Sequence, residues 1–462
     1  MKNIILFIFF VSAGLLASCS TVDEARKAQK GDSLLEGERT VTPAEMGIEA
    51  GKTYNLGELE RVALRSSPSV FQAGQNLISA QLQLKIVKAD YLPTFDLVAG
   101  YEAGTSNEFK RPQSSHFDGN GYGGVDFKLL IYDFGKTDAK VAQEIQNVVA
   151  AEKELILARV NSVYSVRKAF FELKRRIELN IVAEQAVAQY KEHLDHMLAK
   201  YEHGKGTKYD CSKARVDYDS SVLDQITSAN NVRTAQAELV KTLGFDSAFD
   251  FLTGEGQMPD VEIGVDALME IVRKTDPSLG ILRANAEAAK LYIDEQIAEL
   301  YPTISLSAEA LAAGLSQGWP AIWNLTGGAE IAQNIFNGNR NINAIKQAVS
   351  QLRTVRSQIA EYEQSVYAEL TTARLNLNKA KKQYEVALAS EKVAKENLEL
   401  VTERFNVGKA SSLERTDAQV SYTSAQADAV SAKYDCQDAL AEIFRIIGRD
   451  PSVEDQENSK LK

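Results

Sequence analysis

Two long stretches of the chain carry apolar residues at the spacing of a coiled coil. In the first stretch the apolar positions advance by steps of three and four residues: Val163, Val166, Phe170, Leu173 and Ile177. In the second they recur at intervals of seven with others interleaved: Tyr384, Ala387, Ala394, Leu398, Val401 and Phe405. Such spacing places these residues on one face of a helix. All nine prolines lie outside residues 113–258 and 321–450, so we predict two long helical hairpins, at 136–244 and 338–448.

Shorter segments ahead of each hairpin change to a period of two. Apolar residues alternate with polar ones at Phe95, Leu97, Ala99 and Tyr101, and again at Ile304, Leu306, Ala308 and Ala310. A weaker alternation follows each segment, so we predict strands at about 93–103, 121–134, 302–312 and 325–336. Each run is about ten residues long, which is the length of a tilted strand that crosses a membrane. Aromatic residues at the strand ends favour an interfacial girdle.

The two halves of the chain are copies of one another. The turn segment YEHGKGTKYDCSK, which begins at Tyr201, corresponds to FNVGKASSLERTD, which begins at Phe405, and this offset of 204 pairs Gly204 with Gly408. An offset of 209 relates the segments that precede the strands. We therefore predict a first repeat at 53–250, a linker at 251–266 and a second repeat at 267–450. The predicted fold class is mainly α with membrane β, each half running helix, strand, strand, helix.

The N-terminus has the pattern of an export signal. Residues 1–18 combine Lys2 with an apolar run that ends in Leu16-Ala17-Ser18-Cys19, and the run is too short for a spanning helix. The ending resembles the lipobox of bacterial lipoproteins, which implies cleavage before Cys19 and acylation of that cysteine. The alternative is an ordinary signal peptide with an incidental cysteine. Residues 19–52 are then a tether, and the polar tail 451–462 is predicted to be disordered.

Charge and motifs exclude several functional classes. The chain has 52 basic and 63 acidic residues, a net charge of −11, which disfavours nucleic acid as a partner. Since we find no nucleotide-binding loop, nucleophile elbow or zinc spacing, we predict neither an enzyme nor a cofactor or metal site. Cys211 and Cys436 lie about 30 Å apart along parallel helices by residue count, too far for a disulfide.

Four membrane-length strands cannot close a barrel by themselves. Open strand edges in lipid would leave backbone groups without hydrogen bonds, so closure requires further copies of the chain. The alternation gives each strand one apolar and one polar face, an arrangement that suits a water-filled pore.

These features together resemble the TolC-like outer-membrane ducts of multidrug efflux and type I secretion, in particular the lipidated branch. The resemblance covers roughly Leu59 to Gly448 and includes LLIYDFGK at 129–136, the prolines before the strands and the two hairpin turns. It implies a homotrimer in the outer-membrane lipid, with a 12-stranded β-barrel and a helical α-barrel tunnel in the periplasm. It also implies docking to a periplasmic adaptor (membrane fusion) protein that joins an inner-membrane pump.

The resemblance also implies roles for the hairpin turns. Glu414 and Asp417 lie three residues apart on one helical face and would form acidic rings at the periplasmic entrance, with Asp210 at the matching place in the first half. The alternative is an acidic helix start that the helix dipole favours. Four turn residues are candidate contacts for the hairpin tip and adaptor: Gly204, Lys205, Gly408 and Lys409. Many relatives carry a basic residue where this chain has Ala410, and Lys409 is a candidate substitute.

Other residues have plain interpretations. His193, His196 and His203 fall on one helical stripe; a metal pair at 193 and 196 is geometrically allowed, but a hydrated helix surface is favoured. Cys436 falls in a stripe of small residues and is predicted to pack against neighbouring side chains.

The competing function is a lipid-anchored periplasmic coiled-coil protein, structural or adhesive, with a small soluble sheet.

Overall fold

The computed structural model describes most of the chain between residues 42 and 449. The described ranges are 42–49, 51–106, 116–204, 206–246, 252–254, 256, 258–260, 263–314 and 322–449. The predicted signal peptide, Cys19, Lys205 and the tail 451–462 lie outside the described residues.

Helices dominate the described residues. They are α1 (Leu56–Ser66), α2 (Pro68–Lys88), α3 (Lys136–Glu202), α4 (Lys208–Thr242), α5 (Val265–Thr275), α6 (Pro277–Ala298), α7 (Arg340–Asn406) and α8 (Ser412–Ile447). Helices α3 and α7 each contain 67 residues, which corresponds to about 100 Å. Of the helices in the described ranges, none is both long enough and apolar enough to span a bilayer.

The strands of the described residues form one antiparallel sheet and one small parallel pair. The antiparallel sheet has the order β2 (Thr94–Ser106), β3 (His116–Tyr132), β5 (Thr303–Gly314) and β6 (Ile322–Ala332). The parallel pair consists of β1 (Thr53–Tyr54) and β4 (Leu252–Thr253). The sheet contains all four predicted strands, and β3 joins the two halves of the chain by pairing with β5.

The predicted strand ends differ from the observed ones, most of all at β3 and β6. Strand β3 begins at His116 rather than at 121 and ends at Tyr132 rather than 134. It ends there because the Asp133 carboxylate accepts hydrogen bonds from the Thr137 backbone (2.7 Å) and hydroxyl (2.5 Å), which turns the chain into α3. Strand β6 begins at Ile322 rather than 325 and ends at Ala332 rather than 336.

The predicted tether and linker are also too long. Residues 43–46 form a 3₁₀ helix, and Ile48 is only 3% exposed and joins the hydrophobic core. The Tyr54 hydroxyl accepts a hydrogen bond from the Glu49 backbone at 2.7 Å. The linker also ends before residue 266, because α5 begins at Val265. Apolar side chains near each boundary therefore draw these ends into the fold.

The compact units of the structure differ from the sequence repeats. One, the sheet unit, is built among the described residues from Asn76–Glu152 and Ile281–Ile359. The other, the hairpin unit, is built from Thr40–Gln75, Lys153–Gly280 and Ala360–Lys462. Each unit takes segments from both repeats, because the strands and helices of one repeat pack on those of the other.

The core of the hairpin unit confirms the predicted coiled-coil face of the first hairpin. Val163, Val166, Phe170 and Leu173 are at most 2% exposed. Val166, Phe170 and Leu173 join buried side chains from both repeats, which include Leu59, Leu239, Leu268, Leu370, Leu377 and Ile443. Truncating a buried side chain as large as Phe170 typically costs about 3–5 kcal/mol.

Each repeat has the same joint, where the C-terminal end of the return helix meets the turn between the two helices that precede the strands. The Ser66 hydroxyl donates to the Leu243 carbonyl at 2.5 Å, and the Thr275 hydroxyl donates to the Ile447 carbonyl at 2.6 Å. Gly244 follows the first joint with φ of 85°, and a Cβ there would lie 2.5 Å from the Ser66 carbonyl oxygen. These contacts hold the end of α4 beside the turn between α1 and α2, and the end of α8 beside the turn between α5 and α6.

Candidate functional site: the hairpin tips

Both hairpin turns reverse direction at a glycine with left-handed backbone geometry. Gly204 has φ of 71° and Gly408 has φ of 74°, a conformation that is costly for any residue with a Cβ. The Gly204 amide donates to the Tyr201 carbonyl at 2.9 Å, and the Gly408 amide donates to the Phe405 carbonyl at 3.1 Å. The two turns that the duplication predicts therefore share one geometry.

The returning helices begin with the same side-chain cap. At the start of α4, the Asp210 amide donates to the Thr207 hydroxyl at 3.1 Å, and the Thr207 amide donates to the Asp210 carboxylate at 3.3 Å. At the start of α8, Ser411 and Glu414 exchange the same pair of bonds at 3.1 and 3.3 Å. Sequence reasoning missed these two capping boxes, although the spacing of Ser or Thr three residues before an acid would have revealed them.

The capping boxes give two of the predicted entrance acids a structural task. Glu414 also approaches Arg404, with 3.9 Å between a guanidinium nitrogen and a carboxylate oxygen, and both side chains are more than half exposed. Such an exposed pair contributes at most about 1 kcal/mol. Arg404 is thus a basic partner of Glu414 within this tip, while the role of Lys409 at the entrance stays a prediction. Asp417 lies exposed on the same helix, one turn further on.

The burial of His193 contradicts the prediction that this residue lies on a hydrated helix surface. Its side chain is 3% exposed because α8 packs over it, and its Nε2 lies 3.0 Å from the Ser412 hydroxyl. Burial, followed by the nearby charge of Arg415, lowers the pKa of His193 to about 4. Its Nδ1 has no hydrogen-bond partner among the described residues. The part of the chain that the structure describes contains no group of three or more His, Cys, Asp or Glu side chains placed to hold a metal ion.

Phe405 connects the two hairpins beside His193, near the hairpin tips. Its ring is 4% exposed, and the Lys200 ammonium lies 3.9 Å from the ring centroid. The Arg415 guanidinium lies at 5.9 Å, and the His193 and His196 rings lie at 5.7 and 5.6 Å. Cations over an aromatic face are attracted by its quadrupole. We call this set of five side chains the tip clamp, because it joins α3 to α7 and α8.

Polar pairs continue the contact between α3 and α8 away from the tip. Glu178 accepts from Lys433 at 2.7 Å and from Tyr434 at 2.6 Å. Other pairs in the same seam are Gln189 with Gln419, Gln185 with Gln426, and Arg175 with both Asp435 and Asp438. Since α3 and α8 face each other, α4 and α7 are left as the outer helices of this group.

The outer helices expose apolar residues at intervals of seven. On α4, Tyr209, Val216 and Leu223 are 65–74% exposed; Val386, Val393 and Leu400 on α7, and Val407 just after its end, are 62–69% exposed. Sequence reasoning assigned the heptad face of α7 to neighbouring positions such as Ala387 and Ala394, which are half-buried within the chain. Helix α7 therefore carries two adjacent apolar seams, one used inside the chain and one free.

The sheet also has a free apolar face. The exposed side chains on this face are Phe95, Leu97, Tyr101, Trp323, Leu325 and Ile331, from 53 to 71% exposed. The opposite face carries polar residues, including Asp96, Asp126 and Glu309, which are neighbours across β2, β3 and β5. The sheet is thus apolar on one side and charged on the other, as the predicted alternation requires.

A family model described as outer membrane efflux protein matches residues 59–245 and 268–449. The chain belongs to this family. The match covers both repeats of this chain and leaves out the segment between them. Family membership confirms the predicted resemblance and does not favour a coiled-coil structural or adhesive protein.

Individual relatives agree with the family. The chain is 21% identical to the outer membrane protein TolC of Escherichia coli over 402 residues, which is 82% of this chain and 79% of that protein. It is 27% identical to TolC of Salmonella enteritidis over 175 residues, which is only 36% of each chain. The solved structure of the CmeC outer membrane channel of Campylobacter jejuni matches this chain with a TM-score of 0.73 at 18% sequence identity. The match covers 88% of this chain and 89% of that chain. This similarity confirms the predicted fold class of helical hairpins with barrel strands.

Proposed function

We propose that three copies of this chain form an export duct of the outer membrane, which conducts small molecules or proteins passively and is gated at the hairpin tips. The observation that carries the proposal is the sheet, which has a free apolar face and two edge strands, β2 and β6. Unpaired strand edges in lipid cost several kcal/mol for each exposed backbone group. Twelve strands from three copies would remove every edge and enclose the polar face.

The outer helices of the hairpin unit support assembly of the same kind. If α4 of one copy packs against α7 of the next, both rows of exposed heptad residues become buried. Burial of one such side chain stabilises by about 1.5–3 kcal/mol, so seven of them supply on the order of 10 kcal/mol for each interface. That is comparable with the 4–15 kcal/mol that association costs in lost translational and rotational freedom.

A passive duct needs partners that supply energy. We propose that a periplasmic adaptor protein contacts the hairpin turns at Gly204, Lys205, Gly408 and Lys409, and that it connects the duct to an inner-membrane pump. The resemblance to the TolC-like ducts supports these partners, and so does the absence of a nucleotide-binding loop from the sequence. Acylation at Cys19 would add a lipid anchor in the outer membrane.

The acidic residues near the tips are proposed to line the periplasmic entrance. Threefold symmetry would bring copies of Glu414 and Asp417 close together, and like charges so placed attract cations and repel anions. Asp210 would contribute from the first hairpin. Since Glu414 and Asp210 also cap their helices, Asp417 is the carboxylate whose removal tests selectivity with the least structural cost.

The proposed function is tested by reconstitution. Purified lipidated protein should show three times the chain mass in light scattering of the detergent complex, and it should form discrete ion channels in a planar bilayer. A protein that remains a monomer and yields no channels would refute the proposal. A monomer or dimer that forms fibres would instead favour the coiled-coil structural protein.

The lipid anchor has its own test. Mass spectrometry of the mature wild-type N-terminus should show a diacylglyceryl cysteine at position 19, and Cys19→Ser should leave an unacylated precursor or a differently cleaved product. An unmodified wild-type N-terminus at another residue would exclude the anchor without affecting the proposed channel.

A further inference from the structure

The sheet consists of two equivalent hairpins laid side by side. Thr94 pairs with Lys128 in the first hairpin, and Thr303 pairs with Ala332 in the second. Strand β5 therefore corresponds to β2 at a shift of 209 residues, and β6 corresponds to β3 at a shift of 204. The two shifts hold along the paired residues of both hairpins, because neither pairing contains a register break.

The inner strand β3 is longer at this end than its copy β6. Beyond Lys128, where its pairing with β2 ends, β3 continues to Tyr132 because β5 pairs with it there. In this extension Leu129 pairs with Leu306 and Tyr132 pairs with Ile304, while Ile131 lies in the register break. Strand β6 instead ends at Ala332, the position equivalent to Lys128. Residues 333–336 follow without a partner strand among the described residues, and Ile335 and Phe336 are 93% and 79% exposed.

Building on the trimeric channel proposed above, we propose that the β6 edge pairs with the β2 edge of a second copy in the register that β3 and β5 use within the chain. Residues 333–336 then become strand, with Ile335 in a bulge equivalent to that at Ile131. Phe127 pairs with Ala308 inside the chain, so the two shifts place Ile331 opposite Ala99 of the second copy. The pair of Tyr132 with Ile304 likewise places Phe336 opposite Phe95 of the second copy.

The side chains fit this register on both faces. Ile331 and Phe336 meet Ala99 and Phe95, so apolar residues lie together on the face that is exposed in the single chain. On the polar face Asn334 lies opposite Asp96, whose carboxylate can accept a hydrogen bond from the amide. A slip by one residue would reverse the faces of a whole strand.

Strand direction selects β2 as the partner edge. Strands β2, β3, β5 and β6 alternate in direction. If all copies enter the membrane from the same side, the β6 strands of two copies run parallel to each other. The β6 strand of one copy and the β2 strand of the next run antiparallel. A β6 edge that meets β2 therefore continues the antiparallel sheet, and repeating the contact closes a ring.

Cysteine cross-linking in outer membranes tests the register. In a Cys211→Ser, Cys436→Ser background, we expect Ile331→Cys combined with Ala99→Cys to give disulfide-linked dimers and trimers on oxidation. Opposed Cβ atoms lie about 4.5–5.5 Å apart, whereas diagonal neighbours lie about 7–8 Å apart, beyond disulfide reach. The matched controls, Ile331→Cys with Leu97→Cys or with Tyr101→Cys, should cross-link at least about tenfold less.

A second pair tests the extension of β6. Phe336→Cys with Phe95→Cys should cross-link, and Phe336→Cys with Leu97→Cys should not. Should Phe336→Cys prevent assembly, Asn334→Cys with Asp96→Cys reports on the same segment from the opposite face. Suppose that the Ile331→Cys, Ala99→Cys variant cross-links, but the variants that pair 336 with 95 and 334 with 96 do not. That result would refute the extension and leave the register of β6 intact.

The mass of every variant in detergent separates this proposal from the proposed function. Trimers that cross-link best at Leu97 or Tyr101 would overturn the register while trimeric assembly stands. Trimers with no cross-link at any of these pairs would overturn the contact between β6 and β2. A monomeric mass together with no cross-links would overturn both the contact and the proposed duct.

Discussion

Acid should weaken the tip clamp through His193. Its pKa is lowered to about 4 from an ordinary value of 6.5, so the unfolded or opened tip binds a proton more readily than the closed tip. Stability is therefore present above about pH 6.5 and is lost as the pH falls toward 4. From these two pKa values, the loss between pH 7 and pH 4.5 is about 2.5 kcal/mol, or roughly 60-fold in the opening equilibrium.

The charges around His193 explain the direction of this effect. Arg415 approaches from α8, His196 and Lys200 approach from α3, and all three oppose protonation; Asp210 on α4 favours it. Burial is the largest contribution. A proton on His193 would therefore place a fourth cationic or basic group in a cluster that α8 covers, and separation of α8 from α3 would relieve the repulsion.

Hydrogen exchange of the backbone amides in the hairpin turns measures this opening. His193→Gln keeps a side-chain group that can reach Ser412 but does not titrate, so it is the matched control. At each pH the ratio of wild-type to variant exchange rates removes the intrinsic pH dependence of exchange. We expect this ratio to rise several tens of fold between pH 7 and pH 4.5. A ratio that stays constant over this range would refute the assigned burial of the neutral imidazole.

Three further outcomes follow from other contacts. Gly244→Ala and Gly448→Ala should each lower stability by at least about 1 kcal/mol, because φ is positive and the added Cβ would lie 2.5 or 2.7 Å from a neighbouring atom; the yield of assembled protein reports this. Asp417→Asn should reduce the preference for cations, measured as the reversal potential under a salt gradient. Combining it with Glu414→Gln should reduce this preference further. Leu400→Asp should reduce the trimer fraction in light scattering, because it places a charge in the exposed heptad seam of α7.

Matched variants control these three outcomes. Gly47→Ala also meets a positive φ of 74°, but no atom of the described residues lies within 4 Å of the added Cβ. It should therefore lose less stability than Gly244→Ala, and an equal loss would remove the steric explanation. Glu399→Lys changes an exposed polar position of α7 and should leave the trimer fraction unchanged. Unaltered selectivity in the double variant of the entrance acids would show that they serve only as helix starts.

The periodicity of the sequence by itself determined the type and order of the main elements. A period of three to four residues around Phe170 can bury one stripe only in a helix, and alternation around Phe95 can separate two faces only in a strand. Gly204 and Gly408 marked the turns because residues without a Cβ adopt positive φ at little cost. The duplication then gave both halves the same plan, since equivalent residues have equivalent local preferences.

Tertiary contacts decided what local preference leaves open. His193 lies on a predicted stripe, but whether that stripe meets water or α8 depends on a helix more than two hundred residues away. Glu414 pairs with Arg404 because the turn at Gly408 brings the end of α7 beside the start of α8. Strand β3 reaches Tyr132 because β5 lies beside it, whereas β6 stops at Ala332, where its pairing with β5 ends. A strand continues only where its backbone groups find partners, and those partners are fixed by the assembled fold rather than by the strand's own residues.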